Sequence, residues 1–127
     1  MSQTGLLRTL IHNSLTEMRY LIPLVFSTRF ETYMIFGDKV ALQEPWSWME
    51  LVQAFQILLR EAKKRHMIRR SDGEWHNFKP RKLAFFIDGL DEYNGSHSEL
   101  VTFIQGLIDQ DVKVCVSSRP WNVRIIA

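Results

Sequence analysis

Two short apolar runs constrain this chain more than anything else in it. They are Leu83-Ala84-Phe85-Phe86-Ile87 and Val112-Lys113-Val114-Cys115-Val116, each about the length of a strand. The first carries five apolar residues without alternation, the pattern of a strand buried on both faces in a parallel sheet. Between the runs, Ser96 and Glu99 have capping-box spacing. They would open a helix with Leu100, Val101, Phe103, Ile104, Leu107 and Ile108 facing inward. Strand, helix and strand in that order form a βαβ unit, because parallel strands need a crossover between them. The expected class is therefore α/β with a mostly parallel sheet. Residues 122–127 begin a further element.

The residues before this unit read mainly as helix. Leu7, Leu10, Ile11, Ser14, Leu15, Met18 and Leu21 follow a 3.6 period, which predicts a helix from Leu6 to Leu21, stopped at Pro23. Its other face carries Arg8, His12, Asn13 and Glu17. From Pro23 to Pro45 no period holds, and the reading is a long connection with short strands around Ile22–Phe26 and Val40–Leu42. A second helix has clear start signals. Ser47 is the N-cap, Glu50 completes a capping box, and Trp46 can staple onto Leu51. Trp48, Leu51, Val52, Phe55, Leu58, Leu59 and Ala62 mark its apolar face, and Lys63-Lys64-Arg65 complements the negative end of its dipole.

Basic residues crowd between Lys63 and Lys82, interrupted by the turn signal Ser71-Asp72-Gly73. That stretch reads as a solvated loop rather than a nucleic-acid contact, since neither a stacking platform nor a basic helical face accompanies the charge. A net charge of +2 requires neither a nucleic-acid nor a membrane partner. No run approaches the roughly 18 apolar residues that a membrane span needs, and no signal peptide is evident. The lone cysteine, Cys115, excludes an intrachain disulfide. Set among Val112, Val114 and Val116, it reads as a buried, inert thiol in a cytoplasmic protein. His12, His66, His76 and His97 show no metal-ligand spacing.

Chemistry concentrates where the two apolar strands end. In open α/β sheets ligands bind outside the carboxyl ends of the strands. Asp88-Gly89-Leu90-Asp91-Glu92 and Ser117-Ser118-Arg119 would therefore share one crevice. A Mg²⁺–nucleoside triphosphate needs a carboxylate to hold the metal, usually through water, and Asp88 directly follows Ile87. It also needs an acid to polarise the attacking water, for which Asp91 and Glu92 are candidates. Gly89 lets the backbone approach the ligand. Arg119 can answer the γ-phosphate charge, with Ser117 and Ser118 donating hydrogen bonds. The plainer readings are an Asx-type turn for Asp88 and a surface ion pair for Arg119. An acidic cluster after one strand and Ser-Ser-Arg-Pro after its βαβ return, taken together, favour the functional one.

At these residues the sequence resembles the NACHT family of P-loop NTPases. Phe85-Phe86-Ile87-Asp88-Gly89-Leu90-Asp91-Glu92 is similar to the family's Walker B motif, and Val112 to Trp121 to its sensor-1 strand. Ser2 to Leu10 resembles the segment after the second core strand in fungal NACHT proteins with a nephrocystin-3-like N-terminal domain. The resemblance implies a STAND-type, nucleotide-controlled switch on a three-layer αβα sandwich, with residues 1–127 forming part of the NACHT domain. It assigns Mg²⁺ to Asp88, water activation to Asp91 and Glu92, and γ-phosphate sensing to Arg119.

One motif of the family is missing. None of the six glycines (Gly5, Gly37, Gly73, Gly89, Gly95 and Gly106) precedes a Lys-Ser or Lys-Thr pair, so these residues contain no Walker A loop. That loop supplies most of the phosphate grip. The expectation is a fragment that is inactive alone, with Mg²⁺ and ATP or GTP bound only in a complete parent. Without the P-loop strand, Val112–Val116 should be an uncovered apolar edge. This suggests the alternative of a non-catalytic module that docks its open edge on intact NACHT homologues. A nucleic-acid role through Lys63–Lys82 ranks below both.

Overall fold

The computed structural model describes residues 3–41, 45–88, 97–118 and 122–126. They fall into two compact units, one of residues 7–81 and one that combines residues 1–6 with 82–127.

The first unit is built on helices. Helix α1 spans Gln3–Glu17, with its opening residues counted in the other unit. All seven residues of the predicted stripe are buried, Leu7 at 1% and Leu21 at 0% exposure among them. The helix is shorter than the stripe, however. It breaks at Met18, passes through a 3₁₀ turn at Arg19–Leu21, and restarts as α2, Ile22–Val25. Pro23 therefore lies near the start of a helix instead of ending one, a position where its missing N–H costs nothing.

The stretch read as a long connection is mostly helical as well. Helix α2 takes up most of Ile22–Phe26, α3 covers Ser27–Phe36 and α4 covers Asp38–Ala41, so among the described residues the expected short strands do not form; Leu42 lies outside them. The invisibility of these helices has a physical cause: α3 has no buried residue, so its sequence carries no apolar stripe. It ends at Gly37, whose φ of 86° suits glycine.

Helix α5, Trp48–Ala62, begins where its signals said. The Ser47 hydroxyl accepts a hydrogen bond from Glu50 N at 3.1 Å. The Glu50 carboxylate takes two bonds from Arg29 instead, at 2.6 and 2.9 Å. The Arg29 guanidinium also lies 3.7 Å from the Trp46 ring centre. Leu51, Ala54, Phe55, Leu58, Leu59 and Ala62 are buried along one face.

The basic stretch after α5 is a hairpin rather than an irregular loop. Strand β1, His66–Arg69, pairs antiparallel with β2, Trp75–Phe78, around a turn in which Gly73 has φ 87°. Alternate residues tuck inward: Tyr20 stacks on Phe78 at 4.0 Å between ring centres. Arg69 and Arg70 stay exposed, as their charge requires.

The second unit holds the predicted βαβ. Strand β3, Ala84–Ile87, pairs in parallel with β4, Lys113–Ser118, and α6, His97–Asp109, lies between them in sequence. Asp111, at φ 61°, turns the chain from α6 into β4, and aspartate is one of the few residues that accept that backbone region. Residues 122–126 form strand β5, antiparallel to β4, giving the sheet order β3-β4-β5. The fold is thus mixed α/β with two small sheets, one of them containing a parallel pair.

This sheet corrects three expectations. Strand β4 is central, not an open edge, because β5 satisfies the backbone groups that would have been left unpaired. Strand β3 is buried on one face only: Phe85 and Ile87 are 6% and 2% exposed, whereas Phe86 is 80% exposed. Cys115 shares the pleat alternation, so it is half-buried while Val114 and Val116 are buried. In α6, Ile104 and Leu107 are buried as read, but Val101 is exposed. The capping residue proposed for this helix, Ser96, lies outside the described residues.

Candidate functional site

Parallel pairing decides where the candidate residues go. The register sets Phe86 beside Cys115 and Ile87 beside Val116. One step further along both strands, Asp88 and Ser117 are neighbours at the same, carboxyl end of the pair. The burial of Phe85, Ile87, Val114 and Val116 holds the strands in that register. A slip of one strand by one residue would turn its two inward side chains, Phe85 and Ile87 on β3 or Val114 and Val116 on β4, to the open face.

The two tips are joined by side chains. Ser117 Oγ donates a hydrogen bond to Asp88 Oδ1. A carboxylate can accept about four hydrogen bonds, so one from serine fixes its orientation and leaves acceptor capacity for other ligands. Asp88 is exposed and Ser117 half-buried, so the carboxylate stands on a packed strand yet opens to solvent.

The placement of the other predicted residues differs. Ser118 closes β4 and pairs through its backbone with Asn122. Gly89, Asp91, Glu92 and Arg119 lie outside the described residues, so the predicted water-activating acids and γ-phosphate cation have no described position. Ser117, expected to donate to a ligand, donates to Asp88 instead. Sequence spacing could not reveal that, because it requires knowing the register between strands far apart in the chain. Among the described residues no group of three or more histidine, cysteine or acidic side chains is gathered for a metal. No described helix is long and apolar enough to cross a membrane.

Mg²⁺ prefers oxygen ligands and keeps much of its water shell. An exposed carboxylate with spare acceptor sites, steadied by a hydroxyl, suits such a hydrated ion, so the chemistry of this pair fits the group that the sequence implied. Compared with known protein families, characterised proteins and solved structures, the chain finds no match.

Proposed function

We propose that this chain carries the acidic-strand half of a nucleotide-binding switch of the NACHT type, with Asp88 as the residue that holds the Mg²⁺ of a bound nucleoside triphosphate. The observation that carries the reading is the Ser117–Asp88 hydrogen bond at the carboxyl ends of two parallel strands. In α/β sheets that is where ligands collect. Support also comes from the sequence after each tip, where Asp91 and Glu92 follow one strand and Arg119 the other.

Bound there, Mg²⁺ would neutralise charge on the phosphate oxygens. The protein's own part is positional. Asp88 follows a strand buried on one face, Ser117 fixes its carboxylate, Asp91 or Glu92 would orient water, and Arg119 would meet the γ-phosphate. The phosphate grip belongs to a P-loop, absent from these 127 residues, so hydrolysis is proposed for a polypeptide that carries one. In the full three-layer αβα sandwich, the face that bears Phe86 would be covered by a second helical layer.

The test uses that P-loop-bearing polypeptide. Asp88→Ala should reduce Mg²⁺-dependent hydrolysis by about a hundredfold or more, and Arg119→Ala should weaken discrimination between nucleoside tri- and diphosphate. Unchanged turnover in both variants overturns the assignment. The alternative of a non-catalytic module that docks on intact homologues would need a surface other than the β4 edge, which β5 occupies.

A further inference from the structure

An open groove in the unit of residues 7–81 stands apart from the strand tips. It has a volume of about 460 Å³ and runs along α1 toward α2 and the start of α5. Ile11, Leu15 and Leu51 are buried in its floor, and Ile22, Phe26 and Trp46 extend that floor half-buried. Trp46 meets Phe26 edge-on at 4.9 Å between ring centres. Its ring is also held by the Arg29 guanidinium, which is itself paired with Glu50. The floor is therefore pre-formed, and the nearby acid is already neutralised.

The charged residues of its wall have one sign. Arg8 and Arg19 line the groove beside His12, and no acidic residue does. Arg8, His12 and Thr16 are spaced by four residues, so they follow one line along α1 for about 12 Å. Among the described residues no carboxylate lies within ion-pair distance of Arg8, His12 or Arg19. An apolar trough beneath unpaired arginines is complementary to a molecule with a greasy body and an anionic head. The volume falls in the range of small-molecule sites. An amphipathic helical peptide is the competing occupant, and the experiment below separates the two.

We propose that this groove binds an anionic single-chain amphiphile, its carboxylate or phosphate head at the arginine rim formed by Arg8 and Arg19 and its aliphatic chain along the Ile11–Leu15–Phe26–Trp46 floor. Binding excludes water from apolar surface that the fold leaves open, while the cations set which head group is accepted. Neither step uses the Asp88 site.

The experiment is calorimetric titration of the full 127-residue chain with dodecanoate and dodecyl phosphate below their micellar concentrations. Dodecyltrimethylammonium and dodecyl maltoside serve as the cationic and neutral counterparts. Saturable one-to-one binding of the anions, at least tenfold tighter than that of both counterparts, is expected. Arg8→Gln with Arg19→Gln should weaken it at least tenfold while far-ultraviolet circular dichroism stays unchanged, because both residues are exposed. Leu15→Trp, which fills the floor, should weaken it too, and Trp46→Phe should remove the fluorescence change that accompanies binding. Comparable binding of the cationic amphiphile, undiminished binding in the double arginine variant, or no anion binding at all overturns the proposal. So does capture of an acidic amphipathic peptide by a chain that ignores dodecanoate.

Discussion

The two units handle apolar surface differently. In residues 7–81 the longest helices press their apolar faces into a core where Leu21, Leu58 and Ala62 have no exposure. In the sheet unit only one face of β3 and β4 is closed, and Phe86 stands 80% exposed on the other. The first arrangement secures stability. The second secures register, and register brings Asp88 to Ser117. A sheet closed on a single face can still fix the positions of its strand tips, because alternation ties every inward residue to one pairing.

The strongest challenge to that contrast is truncation in the helical core. Leu58→Ala should cost about 2–5 kcal/mol in denaturant unfolding, since Leu58 is fully buried. A loss below 1 kcal/mol would mean that the core is looser than its burial implies. Ile87→Val, on the closed face of the sheet, should cost about 1 kcal/mol by the same measurement.

A smaller effect concerns Glu50. Hydrogen bonds from Arg29 hold its carboxyl below the usual range, helped by the Arg29 charge and the Ser47 backbone and opposed by partial burial. A carboxyl whose pKa falls on folding stabilises the protein above its unfolded pKa. That stabilisation disappears as pH drops through the folded value. Glu50→Gln should therefore cost about 1 kcal/mol or less at neutral pH and nothing at low pH, so the two stability profiles converge on acidification. Parallel profiles would show that the Arg29 pair contributes nothing.

The smallest effect should be on the open face. Phe86→Ser is expected to change stability by no more than about 0.5 kcal/mol, as for other surface positions. A loss as large as that of Leu58→Ala would show that Phe86 is covered, and would remove the difference between the two units.

Much of this was legible in the sequence. The Leu7-to-Leu21 stripe, the Ser47 cap and the two apolar pentads each mark an element of the expected type, although the stripe runs on through a break in the helix at Met18. What escaped notice lacked such a signal. Helix α3 buries nothing, so it has no stripe to read. The β1–β2 hairpin hides its alternation under basic residues that stay in water. Five apolar residues in a row at Leu83–Ile87 imply two-sided burial, yet composition does not reveal whether a second layer covers them. The position of Asp88 at a strand end could be read directly, whereas its bond to Ser117 depends on a pairing that no local pattern encodes. Of the groove's polar rim, Arg8 and His12 are visible in the sequence only as the polar side of α1, since their meaning comes from the floor that Phe26, Trp46 and Leu51 place beside them.

The functional account depends on Asp88 and Ser117 being side-by-side neighbours on parallel strands. Disulfide trapping measures this directly, using Asp88→Cys with Ser117→Cys in a Cys115→Ser background under mild oxidation. Neighbouring strands lie about 4.8 Å apart, within the span that a disulfide bridges, so the pair should cross-link rapidly and within one chain. Asp88→Cys with Lys113→Cys, at the opposite end of β4 and about 13 Å farther along, should stay reduced. Failure of the first pair to close, or equal closure of both, would contradict the arrangement on which the proposed Mg²⁺ site rests.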